Sequence, residues 1–240
     1  ALHRTAVHAA PSRSPLLRPH LPNSGVYTMY DTLTPADVPT ATYAWVEVRD
    51  DYDYRWDLGG RYSGHGDTSE PIPIGFFFPF YQDFYTHFRI SEKGYIFFEK
   101  EGVEVGNGRG RPDLIPSNNL TGTDAANNFI APFADDLYGY PGISYVYVRT
   151  DDSPRRAIIE FENVVWCCGL YNPRTFEIIL YPSGAIEMQY RKITNFSGSL
   201  DDALKKTVIV GLENLDGSAG DVYTQGVFIP TATEFWQDQM

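Results

Sequence analysis

Alternation with a period of two is the feature that most narrows what this chain can become. Phe176, Ile178 and Leu180 fall on one side of an extended run, and Ile186, Met188 and Tyr190 on one side of the next. Pro182-Ser183-Gly184 stands between the two runs and reads as a hairpin turn. Val208, Val210 and Leu212 repeat the one-sided pattern. Further β-rich runs are Val26–Tyr30, Tyr43–Val48, Ile72–Phe80, Phe84–Ile90, Tyr95–Phe98, Asn128–Phe133, Ile143–Val148, Arg156–Val165 and Val222–Ile229. Roughly a dozen short strands divided by turn signals predict an all-β fold, a two-sheet antiparallel β-sandwich of jelly-roll-like kind. The Gly- and Asp-rich stretch Asp50–Glu70 and the polar stretch Glu101–Asn128 read as long loops. The one expected helical turn is Leu200–Lys206, opened by Ser199 and the acids Asp201 and Asp202.

The first 25 residues are of another kind. Pro11, Pro15, Pro19 and Pro22 remove backbone donors and break helices, so residues 1–25 read as an extended arm ahead of a single domain over 26–240. An arm without a core of its own gains order only by lying on something, either its own body or a neighbouring subunit. Residues 1–30 hold no Asp or Glu and carry Arg4, Arg13 and Arg18, while the rest of the chain holds all 31 acids. A basic arm and an acidic body attract each other, within one chain or between chains. At the other end, Pro230–Met240 either packs back on the body or reaches outward.

The net charge of −12 argues against nucleic acid, whose phosphates need clustered Lys and Arg. It argues equally against anionic membranes, and no apolar stretch is long enough to insert into one. The opening Ala1-Leu2-His3 lacks the charged-then-apolar pattern of a signal peptide, which leaves prior removal of one open.

Four blocks in order resemble the nidogen-type extracellular domain and its relatives in secreted bacterial and archaeal proteins. The first is Phe76-Phe77-Phe78-Pro79-Phe80-Tyr81 with Tyr85 and the turn Ser91-Glu92-Lys93-Gly94-Tyr95-Ile96-Phe97-Phe98. The second is Asn128-Phe129-Ile130-Ala131-Pro132-Phe133-Ala134-Asp135-Asp136. The third is Ile158–Val164 followed by Arg174-Thr175-Phe176-Glu177-Ile178-Ile179-Leu180-Tyr181, and the fourth is Val210–Gly217. The resemblance spans roughly residues 70–220. This chain departs from the family pattern at Lys93, Ala134, Arg174 and Glu177. What the resemblance implies is a secreted β module of matrix and cell-surface proteins, without catalytic residues.

Residue patterns that carry chemistry are few. Of five histidines, His3, His8 and His20 sit in the arm, and His65 lies in the loop Gly64-His65-Gly66-Asp67. No Gly-x-Ser-x-Gly elbow accompanies them, so a Ser–His–Asp site is not expected. Glu160 and Glu162 share a strand face, a spacing that approaches the carboxylate pair of a retaining glycosidase. The reading favoured is a solvated acidic face, with Ile159 and Phe161 turned to the core. Asp135, Asp136, Asp216 and Asp221 sit in acidic turns that make calcium possible, although none has the spacing of an EF-hand loop; no other cofactor is expected. The adjacent Cys167 and Cys168 read as reduced thiols, a strained vicinal disulfide or a link to a partner chain. Asn119-Leu120-Thr121 and Asn195-Phe196-Ser197 are glycosylation sequons in expected loops. Aromatics in loops, among them Tyr52, Tyr54, Trp56, Tyr138 and Tyr140, suit ordinary packing or a glycan or protein interface.

The reading these features favour is an extracellular or cell-surface structural protein that self-associates into a homopolymer. In it Leu16–Tyr30, with Leu16, Leu17, Leu21, Val26, Tyr27 and Met29, adds as a strand to a sheet edge of the next subunit. The alternative is an adhesive module for glycans or surface proteins.

Overall fold

A computed structural model describes residues 27–31, 43–58, 68–101, 127–166, 173–193, 208–226 and 235–239. They form fourteen strands and no helix. The expected helical turn at 200–206, the sequons, the two cysteines, His65 and residues 1–26 lie outside the described residues.

The strands are β1 (Thr28–Asp31), β2 (Tyr54–Asp57), β3 (Ile72–Phe80), β4 (Asp83–Ser91), β5 (Tyr95–Phe97), β6 (Phe129–Ala134) and β7 (Leu137–Tyr138). They continue as β8 (Tyr145–Asp152), β9 (Arg155–Trp166), β10 (Arg174–Leu180), β11 (Ile186–Lys192), β12 (Val208–Glu213), β13 (Gly220–Gly226) and β14 (Phe235–Gln239). One sheet runs β1-β14-β11-β10-β9-β8-β2, with β7 also paired to β9, and the other runs β13-β12-β6-β5-β4-β3. Every pairing is antiparallel. The expected two-sheet sandwich is therefore the fold.

The inward faces are those the alternation marks. In β3, Ile72, Ile74, Phe76, Phe78 and Phe80 are buried, while Pro73, Gly75 and Phe77 are exposed. They meet Ile159, Phe161, Phe176, Ile178, Leu180, Met188 and Tyr190 of the facing sheet in one core. Phe176 stacks on Phe161 at 4.9 Å between ring centroids, and Phe133 of the opposite sheet tilts against it at 5.7 Å. The Tyr190 hydroxyl donates to the Pro132 carbonyl across the core at 2.6 Å, so the polar tip of a buried aromatic is satisfied by the other sheet.

Two segments differ from the sequence-based expectation, and the structure decides a third that the sequence left open. The stretch Asp50–Glu70 contains β2, because β8 offers a free edge whose backbone groups take up those of Tyr54–Asp57. Tyr43–Val48 is extended but joins no ladder. The C-terminal stretch packs back: β14 inserts between β1 and β11. Tyr27, at the head of β1, is buried against Phe80 and Tyr81 at 5.9 and 5.1 Å. Tyr27 and Met29, expected to reach a neighbouring subunit, thus belong to a segment tied into the chain's own body.

The β4–β5 turn requires its glycine. Gly94 has φ +87°, and a Cβ there would meet the Phe133 carbonyl oxygen and sit 2.7 Å from Leu137 Cδ1. Gly94→Ala is expected to cost about 2–4 kcal/mol, from left-handed backbone strain together with the clash. A urea titration of the variant against the parent protein measures it.

Candidate functional site

The outer face of the large sheet carries the most unusual arrangement in the molecule. Gln189 of β11, Glu177 of β10, Glu160 of β9 and Tyr147 of β8 are successive cross-strand neighbours, so they form a row across four strands. Residues 43–48 lie on this row as a strap. The amide of Ala44 donates to Gln189 Oε1 at 2.9 Å, that of Val46 to Glu177 Oε1 at 3.2 Å, and that of Val48 to Glu160 Oε2 at 3.3 Å. Gln189 Nε2 returns a bond to the Ala44 carbonyl at 3.2 Å. An extended segment turns alternate amides to one side, so Ala44, Val46 and Val48 all present theirs to the row.

The strap is held by more than this comb. Val48 is buried with Tyr147, Ile158 and Ile179, and Val46 packs against them. Arg49 Nη1 donates to Glu162 Oε1 at 2.7 Å, and Arg191 pairs with Glu47 while its guanidinium lies over the Trp45 ring at 5.4 Å. Arg149 Nη1 donates to the Glu47 carbonyl at 3.2 Å.

This corrects the expected solvated face. Ile159 and Phe161 do point into the core, but Glu160 is 0% and Glu162 8% exposed. The cause is the strap, which covers the face that alternation alone assigns to water. Burial pushes the Glu160 carboxyl up from 4.5 to about 7, with the Glu47 charge adding to it and the Val48 amide opposing. Burial likewise raises Glu177 to about 9, again against the pull of the amide above it, with the Glu160 charge adding to the rise. Glu162 and Glu187 are also raised by burial.

The four carboxylates singled out for calcium lie in separate settings. Asp135 is buried, accepts the Asp136 amide at 2.8 Å and faces the Arg174 guanidinium, which is itself buried over the Phe133 ring at 5.3 Å. Burial lowers Arg174 to about 10, and the Asp135 charge works against that fall. Asp136 pairs with Lys93. Asp216 accepts the Ser218 amide at 3.0 Å in a surface turn, and the Ser218 bonds hold its carboxyl below the usual range. Asp221 accepts the Tyr81 hydroxyl at 3.1 Å. No group of three metal-ligating side chains occurs among the described residues.

A second feature lies at the edge of the smaller sheet. Phe77 and Phe84 are 72% and 70% exposed, the most exposed of the large hydrophobic side chains among the described residues. Phe84 is paired with Pro79, two positions beyond Phe77, so both rings stand on the outer face of β3 and β4. Along the same strand a three-residue bulge brings Gly75 towards the other sheet, where Arg155 Nη2 donates to its carbonyl at 2.7 Å. Beside the bulge opens a cleft of about 340 Å³ lined by Asp53, Tyr54, Pro71, Ile72, Pro73, Gly75, Val148 and Thr150. Asp53 is occupied there by the Thr150 amide at 2.7 Å. Of the aromatics expected in loops, Tyr54 and Trp56 are half-buried in β2 against the core, and Tyr138 and Tyr140 pack on each other at 5.2 Å.

These features define a β-sandwich module with one sheet strapped on its outer face and one carrying exposed aromatics at its edge. The sequence profile described as NIDO related matches residues 42–235, and the chain belongs to that nidogen-related family. No curated protein and no solved structure is significantly similar to it.

The buried acids set the sign of the pH dependence. A carboxyl whose folded pKa is raised stabilises the fold fully below its unfolded value of 4.5, and that stabilisation is lost as pH rises through the folded value. Between pH 5.5 and pH 8.5 the urea midpoint is therefore expected to fall, by the equivalent of at least ~1 kcal/mol. Equilibrium unfolding at the two pH values checks it.

Proposed function

We propose that this chain is a non-catalytic structural protein of the cell exterior, a subunit of a surface filament or similar assembly. The observation that carries the reading is the exposed pair Phe77 and Phe84 on the edge hairpin β3–β4. Large aromatics left in water on one face are costly unless a partner covers them, and aromatic residues are enriched where protein interfaces bury their centres. Among the described residues β3 ends its sheet, so one side of its backbone carries no partner strand there and suits pairing with another extended chain. Pro73 and Pro79 remove two donors from the strand, which limits pairing in an unintended register. Membership of a nidogen-related family supports an extracellular setting.

The absence of catalysis is part of the proposal. The carboxyls with the most displaced pKa values, Glu160 and Glu177, lie beneath the strap, where a sugar or peptide substrate does not reach them. Their perturbation follows from burial, which structural groups share with catalytic ones.

A second reading, a glycan- or matrix-binding module, is favoured by the cleft beside Tyr54. Its volume lies at the lower end of the small-ligand range, and a half-exposed tyrosine among prolines offers a stacking surface.

Sedimentation and negative-stain microscopy separate the two. The full chain is expected to form filaments or sheets, and Phe77→Ser with Phe84→Ser is expected to abolish them with the unfolding midpoint unchanged, because both side chains are exposed. A version lacking residues 1–25 shows whether the arm also contributes. A monodisperse parent protein that binds on a glycan array would instead favour the second reading.

A further inference from the structure

The hydrogen-bond inventory of the strap is one proton short. Glu160 Oε2 and Glu177 Oε1 each receive a strap amide, but the second oxygens, Glu160 Oε1 and Glu177 Oε2, are buried and no donor among the described residues reaches them. The two side chains are direct cross-strand neighbours on one face, with both residues 0% exposed. Two ionised carboxylates side by side without solvent repel each other, and each buried orphan oxygen adds a desolvation cost. One proton between them would satisfy both orphans at once, covalently held on one carboxyl and donated to the other, as in carboxyl–carboxylate pairs.

We propose that Glu160 and Glu177 share a single proton that latches the strap of residues 43–48 onto the sheet, so that its loss to solvent frees the strap. Burial, the stronger influence on both groups, keeps the proton bound into the neutral range. The charged and titratable groups around the pair come from every neighbouring element. The strap presents Tyr43 and Glu47, with Arg49 following it, β8 presents Tyr147 and Arg149, β9 presents Arg156 and Glu162, and β11 presents Glu187 and Arg191. Arg49, Arg156 and Arg191 are already engaged by Glu162, Asp151 and Glu47, so none of the three is paired with the charge left when the proton departs. What remains is a doubly charged pair under an apolar strap held by two valines and a comb of amides. A strap that lifts uncovers the row from Gln189 to Tyr147, a track already shaped for the alternate amides of an extended segment.

The test is amide hydrogen exchange of the intact chain at pH 6 and pH 9, corrected for intrinsic rates. Protection of Val46 and Val48 is expected to fall about tenfold or more at pH 9, while amides of the central β9–β10 ladder keep theirs. Glu177→Gln supplies a permanent donor for Glu160 Oε1, and this variant is expected to hold the strap at both pH values. Should that variant fold poorly, Glu160→Gln serves the same purpose from the other side. The proposal is overturned if strap and ladder amides lose protection together, if the strap stays protected at pH 9, or if neither glutamine variant alters the pH response.

Discussion

The central meander β9–β10–β11 has to be covered on both faces, and the rest of the molecule is arranged around that need. Its inner face is answered by the aromatic layer of the smaller sheet. Its outer face carries Ile158 and Ile179 beside Glu160, Glu177 and Gln189, a mixture that neither water nor a plain apolar layer suits. The strap resolves it by bringing two valines for the apolar positions and three amides for the polar ones. Every residue of β10 is buried as a result, which is unusual for a sheet facing outward in an antiparallel sandwich.

Fixing that sheet also fixes the first and last described strands. β14 extends the meander beyond β11 and β1 extends it beyond β14, while Tyr27 ties the same edge to the turn after β3. Tyr81 in that turn has φ +51°, a conformation that bulky side chains rarely take, and its ring and hydroxyl are held by Tyr27, Phe80 and Asp221. On the smaller sheet, the outer face of β3 and β4 is where large apolar side chains stay exposed. A molecule that covers one outer face with its own chain and leaves aromatics standing on an edge of the other divides internal packing from external contact. That division is the physical basis for proposing the β3 edge as the contact surface and the strap as the movable element.

Acid pairs near the β4–β5 turn show how charge is used inside the body. Lys93 and Arg174, two of the positions where this chain departs from the family pattern, face Asp136 and Asp135 in turn. The acidic turn after β6 is thereby neutralised by protein cations, one of them buried. This is the usual condition for keeping a carboxylate out of water.

The sequence by itself determined most of the strand content, the inward faces and the two-sheet class. Each of those follows from a local period of two that any partner sheet must respect, as with Phe176, Ile178 and Leu180. The pairs Ile158-Ile159 and Ile178-Ile179 also carried a legible hint that both faces of the meander are buried. What only the tertiary structure decided is which segment covers the outer face and what becomes of Glu160 and Glu162. Tyr43–Val48 reads as a strand from its residues, and nothing local says that its amides will meet side chains from three strands more than a hundred residues away. The fate of a carboxyl depends on its burial and its neighbours in space, and both are set by chain segments that the local pattern does not connect.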